Sequence, residues 1–163
     1  MSVKPHAAQP VAWDAQTARK IAEDMKAMDG PLLPILHAFT ERFGCVTDEA
    51  IVLIADVLNI TRAEVQGVVS FYHDFRRTPP GRHVVKVCRA ESCQSMGCEA
   101  LAERLELSLG IAFGQTTPDR RVTLEAVYCL GNCALSPAVM VDGEVYGRCD
   151  EAKVLSLIGG PRP

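Results

Sequence analysis

His83-Val84-Val85-Lys86-Val87-Cys88-Arg89-Ala90-Glu91-Ser92-Cys93 is the stretch on which the fold turns. Its first five residues are β-rich, and the run ends at Cys88. A second run, Val122 to Tyr128, alternates in the same way and ends at Cys129, with Cys133 four positions further on. Each predicted strand therefore delivers a cysteine pair, Cys88-x4-Cys93 or Cys129-x3-Cys133, to the loop at its C-terminal end. Between them, Met96 to Leu109 reads as a helix with Leu101, Leu105 and Leu109 on one face and Gly110 as its stop. Gly110 to Asp119 is a connecting loop. Val139-Met140-Val141, Asp142-Gly143 and Glu144-Val145-Tyr146 form a hairpin signal, since Asp-Gly suits the mirror-type turn that a two-residue connection requires. Asp150 to Ile158 closes the chain as a helix, giving the order β, α, β, β, β, α.

Upstream the period changes to that of helices. Asp14 to Met28 carries Ala18, Ile21, Ala22 and Met25 on one stripe. Gly30-Pro31 ends it, with Pro31 as first residue of a second helix and Gly44 as its stop. Leu32, Ile35, Leu36, Phe39 and Phe43 recur at helical spacing between them. Thr47 caps a third helix whose Asp48 and Glu49 face the helix dipole. Thr61 and Glu64 have capping-box spacing and start a fourth, with Val65, Val68, Val69 and Tyr72. Thr78-Pro79-Pro80-Gly81 then removes two backbone donors and loosens the chain. The expected architecture is α+β: a helical domain over 1–80, then an α/β domain over 81–163.

Composition excludes several classes. The 163 residues carry a net charge of −3, and 48% are hydrophobic, so a basic nucleic-acid footprint is absent. The longest apolar stretch, Ile51 to Leu58, is broken by Asp56 and far short of the roughly 20 residues of a spanning helix. The first residues contain no apolar run of a signal peptide. These features predict a cytoplasmic protein with no direct membrane insertion and no nucleic-acid partner. Gly110, Gly114, Gly131, Gly143 and Gly147 form no dinucleotide fingerprint. No nucleophile–base or paired-carboxylate arrangement stands out, so the chain is not expected to be catalytic alone.

Seven cysteines, six of them after residue 87, carry the functional signal. An odd number argues against a simple disulfide framework, and clustered thiols in a reducing compartment more often bind metal. Two loops at one sheet edge can present four thiolates to one site. A [2Fe–2S] cluster takes four from protein, two for each iron; structural zinc also accepts four, usually in pairs of similar spacing. Ser92, Ser95, Gly97, Gly131, Asn132 and Ala134 are small or turn-forming and let backbone N–H groups approach cluster sulfur. Cys45, Cys98 and Cys149 are read as non-ligands, with Cys98 in the first turn of a helix. Two classes stay open on spacing: a redox subunit, and a zinc-stabilised interaction module. Arg89 and Glu91 read as solvated loop charges. Phe71 and Tyr72 read as core aromatics, or more sharply as a docking surface.

At these residues the sequence resembles the thioredoxin-like [2Fe–2S] subunit of respiratory complex I, NAD-reducing hydrogenases and NAD-dependent formate dehydrogenases. The stretches that carry the resemblance are Gly81-Arg82-His83-Val84-Val85, Cys88 to Cys93, Gly114-Gln115-Thr116-Thr117, Cys129-Leu130-Gly131-Asn132-Cys133, Ile54-Ala55-Asp56-Val57-Leu58 and Gly67-Val68-Val69-Ser70-Phe71-Tyr72. The resemblance favours iron–sulfur over zinc and implies Cys88, Cys93, Cys129 and Cys133 as ligands of one [2Fe–2S] cluster. It implies a helical domain followed by a thioredoxin-like α/β domain, and a larger partner subunit that binds FMN and NAD. Cys88 to Gly97 looks most like the gamma subunit of molybdenum-containing formate dehydrogenases, which implies a molybdenum-containing subunit in the same complex. The equivalent subunit of complex I or of an NAD-reducing hydrogenase is the alternative.

Overall fold

A computed structural model describes residues 11–159 of the chain. The fold divides after Pro79 into two compact units.

The first unit contains α1 (Ala15–Met25), α2 (Leu32–Phe43), α3 (Asp48–Leu58) and α4 (Arg62–Phe71). Local chemistry sets each boundary. The Asp14 carboxylate accepts the Thr17 N–H at 2.9 Å, and Thr47 Oγ1 accepts the Ala50 N–H at 3.2 Å, so each helix start satisfies a free donor. Pro31 stands one position earlier than expected, at the N-cap of α2, and Gly44 ends that helix at φ 78°, where a Cβ would be strained. At α4 the capping box is complete: Glu64 N–H donates to Thr61 Oγ1 at 3.2 Å and Thr61 N–H to Glu64 Oε2 at 2.8 Å. The core joins Ile35, Leu36, Phe39, Phe43, Val46, Ile54 and Val65, with Trp13 against the Phe39 and Phe43 rings.

The second unit is built on a four-stranded sheet in the order β2-β1-β3-β4. Its strands are β1 (His83–Cys88), β2 (Val122–Val127), β3 (Val139–Val141) and β4 (Glu144–Tyr146). β1 and β2 run parallel, with His83 opposite Val122 and Cys88 opposite Val127; β3 is antiparallel to β1, and β4 to β3. The parallel pair needs a long crossover, supplied by α5 (Glu91–Ser95) and α6 (Cys98–Leu109). The hairpin turns at Asp142 and Gly143, φ 51° and 90°, the left-handed pair the mirror-type turn demands. Asp142 also accepts the Val84 N–H at 2.8 Å and sits 2.7 Å from His83 Nδ1, tying the turn back to β1. Val85, Val87, Leu124, Val139 and Val141 form a core with Leu101 and Leu105 of α6 and with Val154 of α7 (Glu151–Leu157). This is the thioredoxin-like α/β arrangement that the resemblance implies.

One helix differs from expectation. Sequence predicts a crossover that starts as a single helix at Met96; instead a short α5 precedes it, and Gly97 at φ 86° separates the two. Glycine tolerates that left-handed conformation, so the chain can end one helix and restart the next at a new angle. Cys93 therefore lies on α5 rather than in an open loop.

Candidate metal centre

Parallel pairing of β1 and β2 places their C-terminal ends side by side. Cys88, the last residue of β1, is followed by a turn into α5, which carries Cys93. β2 ends at Val127, and the chain then reaches Cys129 and a 3-10 turn over Cys133–Leu135. The structure thus brings together the four cysteines that sequence singles out. Cys88 and Cys93 are buried; Cys129 and Cys133 are exposed.

The thiols stand as two pairs. Cys129 Sγ lies 3.9 Å from Cys133 Sγ, close to the separation of about 3.8 Å that two thiolates adopt on one tetrahedral metal with bonds of roughly 2.3 Å. Cys88 and Cys93 are in hydrogen-bonding contact through their side chains. Among the described residues, no three His, Cys, Asp or Glu side chains converge tightly enough for a single ion. Two adjacent pairs suit two metal ions, each held by one pair. The donor set thus fits a [2Fe–2S] cluster.

Backbone donors surround the sulfurs. Burial by itself would push the Cys88 thiol up, but N–H groups of Ala90, Cys129 and Leu130 together with the Cys93 thiol hold it below its ordinary value. The donors come from both loops. Gly131 N–H points at Cys129 Sγ at 3.4 Å. Cys133 is pushed up, first by its hydrogen bond to the Cys129 thiol and then by the charge there. Donors aimed at sulfur stabilise thiolate and would disperse the charge of a bound cluster. Cys129 itself has φ 101°, a conformation non-glycine residues rarely adopt and which costs on the order of 1–3 kcal/mol.

Of the other cysteines, Cys98 is fully buried and packs with Cys88, Cys93 and Ala138. Burial, then the Glu99 charge, pushes its thiol up to about 11. It sits at the start of α6, beyond the Gly97 break. Cys149 lies in the core of the second unit and Cys45 is buried in the first.

Several contacts around the pairs have no signal in the sequence. Arg89, expected in solvent, donates from Nε to Glu99 Oε1 at 3.1 Å, makes a second bond to Glu99 Oε2, and lies 5.3 Å over the Phe113 ring. Ser136 is buried, and its hydroxyl touches both loops. At Gly147 a Cβ would stand 2.8 Å from the Leu135 carbonyl oxygen and 2.9 Å from Asn132 Nδ2, so the close approach of β4's exit to the Cys133 turn requires glycine. Phe71 is 73% exposed, against the expectation of a core aromatic. It falls off the face of α4 that buries Val65 and Val69, whose spacing is four residues.

A sequence model of the family described as thioredoxin-like [2Fe–2S] ferredoxin matches residues 18–161. A subunit of the NADH-quinone oxidoreductase of Pseudomonas aeruginosa is 41% identical over 125 residues, which cover 77% of this chain and 74% of that protein. The HndA subunit of the NADP-reducing hydrogenase of Solidesulfovibrio fructosivorans is 32% identical over 156 residues, 96% of this chain and 91% of that protein. A crystal structure of an NAD+-reducing [NiFe]-hydrogenase in the air-oxidised state superposes with a TM-score of 0.67 and 27% identity over 78% of this chain. This chain spans 22% of that hydrogenase chain.

Proposed function

The chain belongs to the thioredoxin-like [2Fe–2S] ferredoxin family, and from that premise we propose that it is the [2Fe–2S] electron-transfer subunit of a cytoplasmic NAD-dependent formate dehydrogenase. Cys88 and Cys93 would hold one iron and Cys129 and Cys133 the other. The observation that carries the ligand assignment is the meeting of two thiol pairs at the ends of adjacent parallel strands, with N–H groups of both loops directed at Cys88. A bound [2Fe–2S] cluster supplies one-electron chemistry.

The residues of the chain serve that chemistry in three ways. Four thiolates on short, hydrogen-bonded loops are held in fixed positions, so little rearrangement accompanies a change of charge. The N–H donors stabilise the more negative state. The exposed pair, Cys129 and Cys133, faces outward beside Tyr128, which is 76% exposed, so a partner can approach within a short distance of the site. Exposed Phe71 and Tyr72 offer a further apolar contact for that partner, an FMN- and NAD-binding iron–sulfur subunit. No helix among the described residues is long and apolar enough to cross a membrane.

Formate as the source of electrons, at a molybdenum centre in another subunit, rests on the Cys88 to Gly97 stretch. The second reading, a subunit of an NADH-quinone oxidoreductase or an NAD-reducing hydrogenase, is supported by the names of the relatives. Purification of the tagged chain from its native host separates them. Formate-dependent NAD+ reduction with a co-purifying molybdenum subunit is expected. Recovery of hydrogenase or quinone-reductase subunits without that activity refutes the formate assignment and leaves electron transfer standing.

A further inference from the structure

We propose that the Ser136 hydroxyl donates a hydrogen bond to the Cys93 thiolate and raises the reduction potential of the site, with Ser92 as the residue that frees it to do so. This rests on Cys93 being a cluster ligand.

Ser136 is 7% exposed. Its Oγ stands 2.8 Å from the Cys133 carbonyl oxygen, 2.9 Å from Ser92 Oγ and 3.5 Å from Cys93 Sγ. With Cys93 protonated, the thiol donates and Ser136 accepts. A metal-bound Cys93 has no proton and is purely an acceptor. The one proton of Ser136 then has two acceptors in reach, the Cys133 carbonyl and the Cys93 sulfur. Ordinarily, turning from the carbonyl would leave a polar atom short of a partner. Here Ser92 Oγ lies 3.1 Å from the same carbonyl and the Ser136 N–H donates to it at 3.4 Å, so the carbonyl stays satisfied while the Ser136 hydroxyl turns to sulfur, with Ser92 as its remaining hydroxyl donor.

The position matters because two of the other sulfurs are served by backbone. Cys88 receives three N–H groups and Cys129 receives that of Gly131. Apart from the Cys88 thiol, the hydrogen-bonding neighbour shown for Cys93 is the hydroxyl of Ser136. A charge-assisted bond to a ligand thiolate favours the state with the added electron, because that state concentrates more negative charge on sulfur. The potential is thereby placed under the control of a side chain that a single substitution can alter.

The test is a potentiometric titration followed by electron paramagnetic resonance on the cluster-loaded full chain. Ser136→Ala is expected to disfavour reduction by roughly tenfold, about 59 mV for one electron. Ser136→Thr, which keeps the hydroxyl, stays near wild type. Ser92→Ala shifts the potential in the same direction by less, and adds nothing in the Ser136→Ala background. Electron–nuclear double resonance on the wild type supplies a measurement that needs no variant. A proton coupled to the cluster exchanges on brief exposure to D2O, since a hydroxyl exchanges far faster than a protected backbone N–H. An unchanged potential in Ser136→Ala, equal shifts in Ser136→Ala and Ser136→Thr, or no rapidly exchanging coupled proton overturns the proposal. Cys93→Ser separates the two levels: an unperturbed cluster in that variant overturns the ligand assignment and this proposal with it.

Discussion

Cys129 shows how a single residue is held against its own preference. At φ 101° it occupies backbone space that costs a non-glycine residue on the order of 1–3 kcal/mol, and such outliers cluster where function requires them. The return is a thiol 3.9 Å from Cys133. A metal–thiolate bond at Cys129 would offset the strain, and this makes the ligand assignment testable residue by residue. Serine at Cys88, Cys93, Cys129 or Cys133 is expected to lose or strongly perturb the cluster, whereas serine at Cys45, Cys98 or Cys149 leaves it intact. Iron and acid-labile sulfide are each expected to approach about two per wild-type chain, as a four-cysteine [2Fe–2S] site requires. Stoichiometric zinc in place of iron, or loss of the cluster in Cys98→Ser with retention in Cys93→Ser, sinks the assignment. The candidate ligands are legible in the sequence because spacing and strand ends are local signals. Ser136 is not: it acquires meaning only when the fold sets its hydroxyl between residues 92, 93 and 133. Arg89 reads as a solvent charge for the same reason, since Glu99 and Phe113 reach it only through the turn of α5 into α6 and the loop beyond.

Elements whose boundaries are written in adjacent residues form as the sequence implies. The capping box at α4 is one: Thr61 and Glu64 satisfy each other's backbone donors within one turn. Thr61→Ala is expected to cost about 1 kcal/mol. For a unit of some 80 residues that lowers the melting temperature by about 4–8 °C, measurable by the fluorescence of Trp13; no change in Trp13 melting would show that the box contributes nothing. The break between α5 and α6 is hidden in the sequence because Met96-Gly97-Cys98 reads equally well as the start of one helix, and only tertiary packing selects the left-handed turn at Gly97. Gly147 is hidden because its need for glycine comes from Leu135 and Asn132, more than ten residues away. Gly147→Ala forces the Cys133 turn outward. The variant is expected to keep its far-ultraviolet circular dichroism and to hold substantially less iron per chain, read by metal analysis. Full iron loading would show that the turn gives way without moving the thiols.

Across the whole molecule, two cores share one chain, and only the second unit carries the thiol pairs. The first unit buries Phe39, Ile35, Leu36 and Ile54 with Trp13 against two phenylalanine rings, and none of its helices carries a candidate ligand. The second unit closes its ligand loops with polar contacts and a small cluster of Cys88, Cys93, Cys98 and Ala138. Domains of about 80 residues bury a modest fraction of their surface and are marginal alone. A metal group bound to the folded state and not to the unfolded chain adds its binding free energy to stability. Removing the cluster should therefore act unequally. Trp13 is the only tryptophan of the chain, so its fluorescence reports the first unit, while cluster absorbance and the sheet's circular dichroism report the second. On anaerobic extraction of iron with a chelator, the transition of the second unit is expected to fall by more than about 10 °C, the equivalent of a few kcal/mol in a unit of this size. The Trp13 transition is expected to stay in place. Reconstitution with iron and sulfide should restore the lost transition, which separates a metal effect from irreversible damage. A single transition that moves as a whole at every probe would show that the two cores unfold together. In that case the cluster stabilises the entire chain rather than the unit that holds it.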